Sequence, residues 1–154
     1  MTQPSHFILV GDTPLSRSTY RELQSRQQSI LVLLSSEPDE NFFHPEDVLV
    51  GDASDTDILR QAGIETAEAI LALRADDSEN AFVILAAKEL HSRAKTVAAV
   101  NDSKNHDRVM RVEPDYIVSP QVMGSQILAM ALDGEELSGQ RVSEMFASQK
   151  RSAA

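Results

Sequence analysis

The 154-residue chain contains no cysteine and no tryptophan. Without thiols it forms neither disulfides nor thiolate metal sites, and it has no cysteine nucleophile. That absence suits a cytoplasmic protein. Cationic side chains are also scarce: 14 Lys and Arg stand against 24 Asp and Glu, a net charge of −10. The balance argues against a nucleic-acid partner, because phosphate binding draws on a basic face and this surface repels such a backbone. Long apolar runs are missing too. The longest, residues 81–87, falls far short of the ~20 residues a bilayer-spanning helix requires, and no basic-then-apolar leader opens the chain. Neither a membrane span nor a secretion signal is expected. What is present, 42% hydrophobic and 25% charged residues, is the composition of a folded globular chain. At this length one core burying roughly 70% of the unfolded surface is the expectation.

Residues 48–90 carry the clearest pattern. Val48, Leu49 and Val50 form a short buried strand ending at Gly51. Ser54, with Asp57 three residues later, reads as an acidic variant of the capping box opening a helix that Gly63 closes. Ala69 to Leu73 is an apolar run of strand length, after which Asp76 or Asp77 caps a longer helix reaching about His91. Upstream, Phe7, Ile8, Leu9 and Val10 make a first strand ending at Gly11. A helix over residues 15–27 follows, with Leu15, Tyr20 and Leu23 as its apolar face, and then a second strand over residues 30–34. Residues 35–45 read as a polar loop, at most with an irregular helix around Phe42 and Phe43. Downstream come a fifth strand at 96–100, a short helix at 103–112 and a sixth strand at 116–118. A helix at 120–132 draws on Val122, Met123, Ile127, Leu128 and Met130 to Leu132, and a final amphipathic segment at 137–149 carries Leu137, Val142, Met145 and Phe146.

Strands alternating with helices through right-handed crossovers predict an α/β doubly wound, Rossmann-like parallel sheet of six strands in order 3-2-1-4-5-6, with a flavodoxin-like order as the alternative. The last segment has an apolar stripe and no seventh strand to cover. It either folds back on the sheet or meets a second copy.

In such a fold the first turn holds a pyrophosphate, and G-x-G-x-x-G supplies its tight turn and close approach. Here those positions are Gly11, Thr13 and Ser16; Pro14 lacks an N–H and Asp12 adds negative charge. Candidate cofactor-binding residues are therefore Gly11, Asp12 and Thr13, with Glu37 after the second strand as the ribose carboxylate and Asp52 after the third facing a base. Each also has a plain reading as turn chemistry. Two carboxylate clusters, Asp52, Asp55, Asp57 and Asp76, Asp77, Glu79, offer oxygens to Ca2+, but neither has EF-hand spacing, and helix starts favour acids anyway. No metal ligand and no firm cofactor is assigned; a weakly held nucleotide (NAD, ATP or ADP) or Ca2+ is the widest allowance. His6, His44, His91 and His106 show no paired spacing and read as surface residues. No G-x-S-x-G, Walker A or H-E-x-x-H motif occurs, so no catalytic residue is expected and the chain is not read as an enzyme.

Several of these segments together are more specific. Gly51-Asp52-Ala53-Ser54-Asp55, Ile58-Leu59, Ala62-Gly63-Ile64, Ala69 to Leu73, Asp76-Asp77, Glu79-Asn80, Ala87 to Leu90 and Pro114-Asp115-Tyr116-Ile117-Val118-Ser119-Pro120 make the chain resemble the RCK (regulator of potassium conductance) N-terminal domain, in its form from bacterial Kch-type voltage-gated-like channels. The resemblance implies a regulatory domain over residues 6–136, a crossover or dimerisation helix over 137–149 and a disordered tail over 150–154. It further implies a homodimer or larger ring at the cytoplasmic side of the cell membrane, joined to a potassium-channel pore domain and coupling ligand state to K+ transport. Leu137, Val142, Met145 and Phe146 would then serve assembly. The alternatives are a soluble nucleotide- or Ca2+-sensing subunit of a K+ transporter and, with least support, a dinucleotide-dependent oxidoreductase. That last would need a substrate domain for which this length leaves no room.

Overall fold

The backbone of a computed structural model describes residues 5–151, with side chains through residue 146. Six strands pair in parallel in the order β3-β2-β1-β4-β5-β6. They are β1 (Phe7–Val10), β2 (Ile30–Leu34), β3 (Val48–Val50), β4 (Ala69–Ala72), β5 (Lys95–Ala99) and β6 (Tyr116–Val118). The doubly wound order expected from the sequence is thus the one observed. At the centre, Phe7 pairs with Ile30 on one side and with Ala69 on the other, so β1 is covered along both edges.

Alternation along these strands divides the core into two layers. Ile8, Val10, Leu33, Ile70 and Ala98 face a layer completed by Leu59, Val83, Ile84 and Val109. Those last four lie on helices α2 (Thr56–Gln61), α3 (Asp77–Glu89) and α4 (His106–Met110). Leu9, Val32 and Leu34 face the other way, toward Tyr20 on helix α1 (Pro14–Ser25) and toward Phe43. Tyr20 is 1% exposed, meets Phe43 edge-on at 4.9 Å, and donates its hydroxyl to Asp47 at 2.6 Å. Burial and that carboxylate push the phenol up to about 12.

Several local expectations need correction. Helix α2 is capped by Asp55, which accepts from the Asp57 N–H at 2.9 Å, and not by Ser54. Ser54 instead donates to Asp52 through both its N–H and its hydroxyl. No helix forms around Phe42 and Phe43: these rings fill the cluster around Tyr20, and a 3-10 turn follows at Pro45–Asp47. The helix expected at 103–112 is split into a 3-10 turn, Ser103–Asn105, and α4, because Asn105 is tied to Asp77 at 3.0 Å. His6 and His106 are half-buried, and the His6 ring lies 2.8 Å from the Ala62 carbonyl.

Helix α5 (Pro120–Leu132) occupies the expected residues, yet Met130 is its only buried side chain. Val122, Ile127, Leu128 and Leu132 are exposed, Leu132 at 87%. Helix α6 (Gly139–Arg151) begins two residues after Leu137, which is exposed, and folds back on β6. There Met145 is buried, Val142 half-buried, and Phe146 meets Tyr116 edge-on at 5.9 Å. The helix reaches Arg151; of the expected tail, residues 152–154 lie outside the described residues. Among the described residues, no helix is long and apolar enough to cross a membrane.

Candidate functional site

In an open parallel sheet, ligands bind outside the carboxyl ends of the strands where the strand order reverses, here between β1 and β4. A cavity of about 330 Å³ lies there, lined by Gly11, Asp12 and Thr13 from the first turn, by Ser35 to Asp39 after β2, and by Arg74 to Asp76 with Glu79 after β4. A second, of about 350 Å³, adjoins it over Gly51 to Ser54 and shares Ser35, Arg74 and Glu79. Both sizes fall near the lower end of the ~300 to 1,000 Å³ typical of small-ligand pockets. The structure therefore places Gly11, Asp12, Thr13 and Glu37 around one cavity and Asp52 in its neighbour.

The first turn is closed by its own side chains. The Thr13 N–H donates to the Ser16 hydroxyl at 2.8 Å, and the Ser16 N–H donates to the Thr13 hydroxyl at 3.2 Å. Thr13 also donates to the Leu73 carbonyl at 2.8 Å, fastening the turn to the end of β4. These two amides and the missing one of Pro14 are donors that a pyrophosphate would otherwise draw on. Asp12 is engaged by Arg17 at 2.6 Å, and Arg17 also reaches Glu40 at 3.1 Å while lying over the Phe42 ring. These carboxylates raise the Arg17 pKa further above its ordinary value.

The turn after β4 is built from more distant partners. Asp76 caps α3, accepting from the N–H groups of Ser78 and Glu79. Asp77, 5% exposed, accepts from the Asn101 and Asp102 N–H groups at 2.7 and 3.0 Å and from the amides of Asn101 and Asn105 at 2.9 and 3.0 Å. Burial by itself would raise its pKa; these donors outweigh burial and hold the carboxyl below the usual 3.8. Asn80, fully buried, accepts from the Arg74 N–H at 2.9 Å and donates to the Arg74 and Ala99 carbonyls. Arg74 pairs with Glu79 at the mouth. Asp52 is held below the ordinary carboxylate range, first by the Ser54 hydroxyl and N–H and then by the charge of Arg74.

Glu37 is exposed and lines the first cavity beside Pro38 and Asp39. Arg74 was not among the residues singled out from sequence. Its signal was position alone, as the residue following Leu73 at the end of an aliphatic run. Among the described residues no group of three or more acidic or histidine side chains is arranged to hold a metal ion.

The model of the TrkA-N domain matches residues 7–120, which span the whole sheet and both cavities. The chain belongs to the TrkA-N family. This TrkA-N domain is 41% identical over 153 residues to the voltage-gated potassium channel Kch of Escherichia coli K12, covering 95% of its own length and 36% of that channel. It is 27% identical over 133 residues to potassium channel protein 1 of Methanocaldococcus jannaschii, with 81% of the chain and 39% of that protein covered. The TrkA-N domain thus spans little more than a third of these curated relatives. Among solved structures, the GsuK RCK domain is similar at a TM-score of 0.67 and 28% identity, over 84% of this chain and 28% of that one. GsuK bound to ADP is similar at 0.66 and 28%, over 85% and 35%.

Proposed function

We propose that this TrkA-N domain is the regulatory, gating domain of a potassium channel, which self-associates and couples the state of a ligand to K+ transport. The likeness to Kch over 95% of the chain carries this reading. The site supports it: in the carboxyl-edge cavities the one arginine is paired with Glu79, and Asp12, Asp52 and Asp76 are committed to turns and ion pairs, an arrangement suited to binding. A ligand moves such a gate only by the difference in its affinity for two arrangements, ~1 to 3 kcal/mol in typical coupled systems. In this reading the domain lies at the cytoplasmic side of the membrane beside a pore domain, and α5, with Leu128 and Leu132 exposed, faces another copy. Leu137, Val142, Met145 and Phe146 remain the proposed assembly residues of the last segment, with Met145 and Phe146 seating α6 on β6 so that Leu137 is presented outward.

The test is a domain exchange. Replacing the matching segment of Kch with this chain and measuring K+ flux in liposomes should retain regulated flux. Flux equal to that of a Kch lacking the segment would refute the reading.

A nucleotide as the ligand has a specific observation in its favour, the likeness to GsuK bound to ADP. The self-closed first turn makes that binding weak, and NAD weaker than a mononucleotide because its pyrophosphate has the fewest donors to meet.

A further inference from the structure

One ion pair separates the two carboxyl-edge cavities. Arg74 and Glu79 line both and bond to each other between them. Of the nearby carboxylates, Asp12 is engaged with Arg17, Asp52 with Ser54 and Asp76 with the start of α3, while Glu37 and Asp39 line the outer part of the first cavity. Arg74 is the one cation among the described residues lining either cavity. Its backbone is fixed at both ends, the N–H to Asn80 and the carbonyl to Asn80 and Asn101. Its side chain, 26% exposed, crosses the first turn. Gly11 makes this crossing possible. A Cβ there would stand 3.0 Å from Arg74 Cγ and 3.1 Å from the Leu73 carbonyl, and the Gly11 φ of +113° already disfavours any other residue. The glycine that a dinucleotide site uses to admit a phosphate here admits the stem of an arginine.

We propose that Arg74 is the anion-binding group of this cleft and that Glu79 is its internal competitor, so that a nucleoside mono- or diphosphate binds by taking Arg74 from Glu79 with its terminal phosphate. Guanidinium meets phosphate through paired hydrogen bonds, and a phosphate dianion attracts it more strongly than a carboxylate does. Glu79, 48% exposed, turns to water as it is displaced, and the two cavities become continuous around the ligand. Ser35, which lines both, faces the nucleoside. The proposal rests on the nucleotide part of the reading above, but its test is a binding measurement on the isolated chain and does not involve K+ flux.

Calorimetry with AMP, ADP and unphosphorylated adenosine distinguishes the outcomes. Glu79→Gln should bind ADP about tenfold more tightly than the natural chain, because it removes the competitor without touching the cation. Arg74→Gln should weaken ADP at least about tenfold, Arg74→Lys less, and neither should change adenosine. Arg26→Gln, at the far end of α1, removes the same charge elsewhere and should have little effect. Thermal melts of each variant confirm folding, and Glu79→Gln gives a gain that misfolding cannot imitate. ADP affinity indifferent to both Arg74→Gln and Glu79→Gln overturns the proposal. So does an absence of AMP and ADP binding to Glu79→Gln at millimolar concentration.

Discussion

Two strand-to-helix turns stand side by side at the carboxyl edge of the sheet, and they are closed by different means. The turn into α1 is closed mainly within four residues, by Thr13 and Ser16 bonding reciprocally across the helix start, with one longer-range bond from Thr13 to the Leu73 carbonyl. The turn into α3 is closed over much longer sequence distances, by Asp77 and Asn80 reaching the end of β5 and the segment before α4. The first is a local cap whose loss costs a helix end. The second is a tertiary joint. It holds β4, β5 and the 3-10 turn in one polar network, and it positions the backbone of Arg74.

The sharpest way to break this contrast is Asp77→Ala. It leaves two backbone N–H groups and two side-chain amides without their acceptor, and a loss of about 3 kcal/mol is expected in urea unfolding. Thr13→Ala removes only the local cap and its bond to Leu73, so about 1 kcal/mol is expected in the same assay. Equal losses for the two would erase the distinction. A smaller effect comes from pH. The Asp77 carboxyl is held below 3.8 in the folded chain, so its contribution is complete above about that pH and falls away as pH drops through the lowered folded value. The stability gap between the natural chain and Asp77→Asn should therefore be flat from pH 5 to 7 and narrow below pH 4, as followed by unfolding at each pH.

Much of the architecture was legible because buried parallel strands are nearly unbroken aliphatic runs, as in Phe7–Val10 and Ile30–Leu34. Helix starts were legible to within a residue where proline or aspartate marked them, as at Pro14, Pro120 and the Asp76-Asp77 pair. Where two short polar residues stood together, the choice depended on contacts outside the pair. Ser54 was engaged by Asp52, which left Asp55 to cap α2. The break before α4 depends on an Asn105 to Asp77 bond across 28 residues, which no local pattern records. The placing of Gly11, Asp12, Thr13, Glu37 and Asp52 at the carboxyl-edge cavities was legible because a known fold tells where to look. Arg74 was not legible because its place depends on what surrounds it: a glycine that yields space, a carboxylate that pairs with it, and an asparagine that fixes its backbone.

The two outermost strands, β3 and β6, are three residues long. An edge that short offers an incoming strand only a few backbone hydrogen bonds, and α6 leans against one of the two. The sheet is therefore a poor template for its own extension, and the fold is protected from joining strand to strand into a fibre. Under the assembly proposed above, copies would meet through helices, whose contacts loosen and re-form without reordering a sheet.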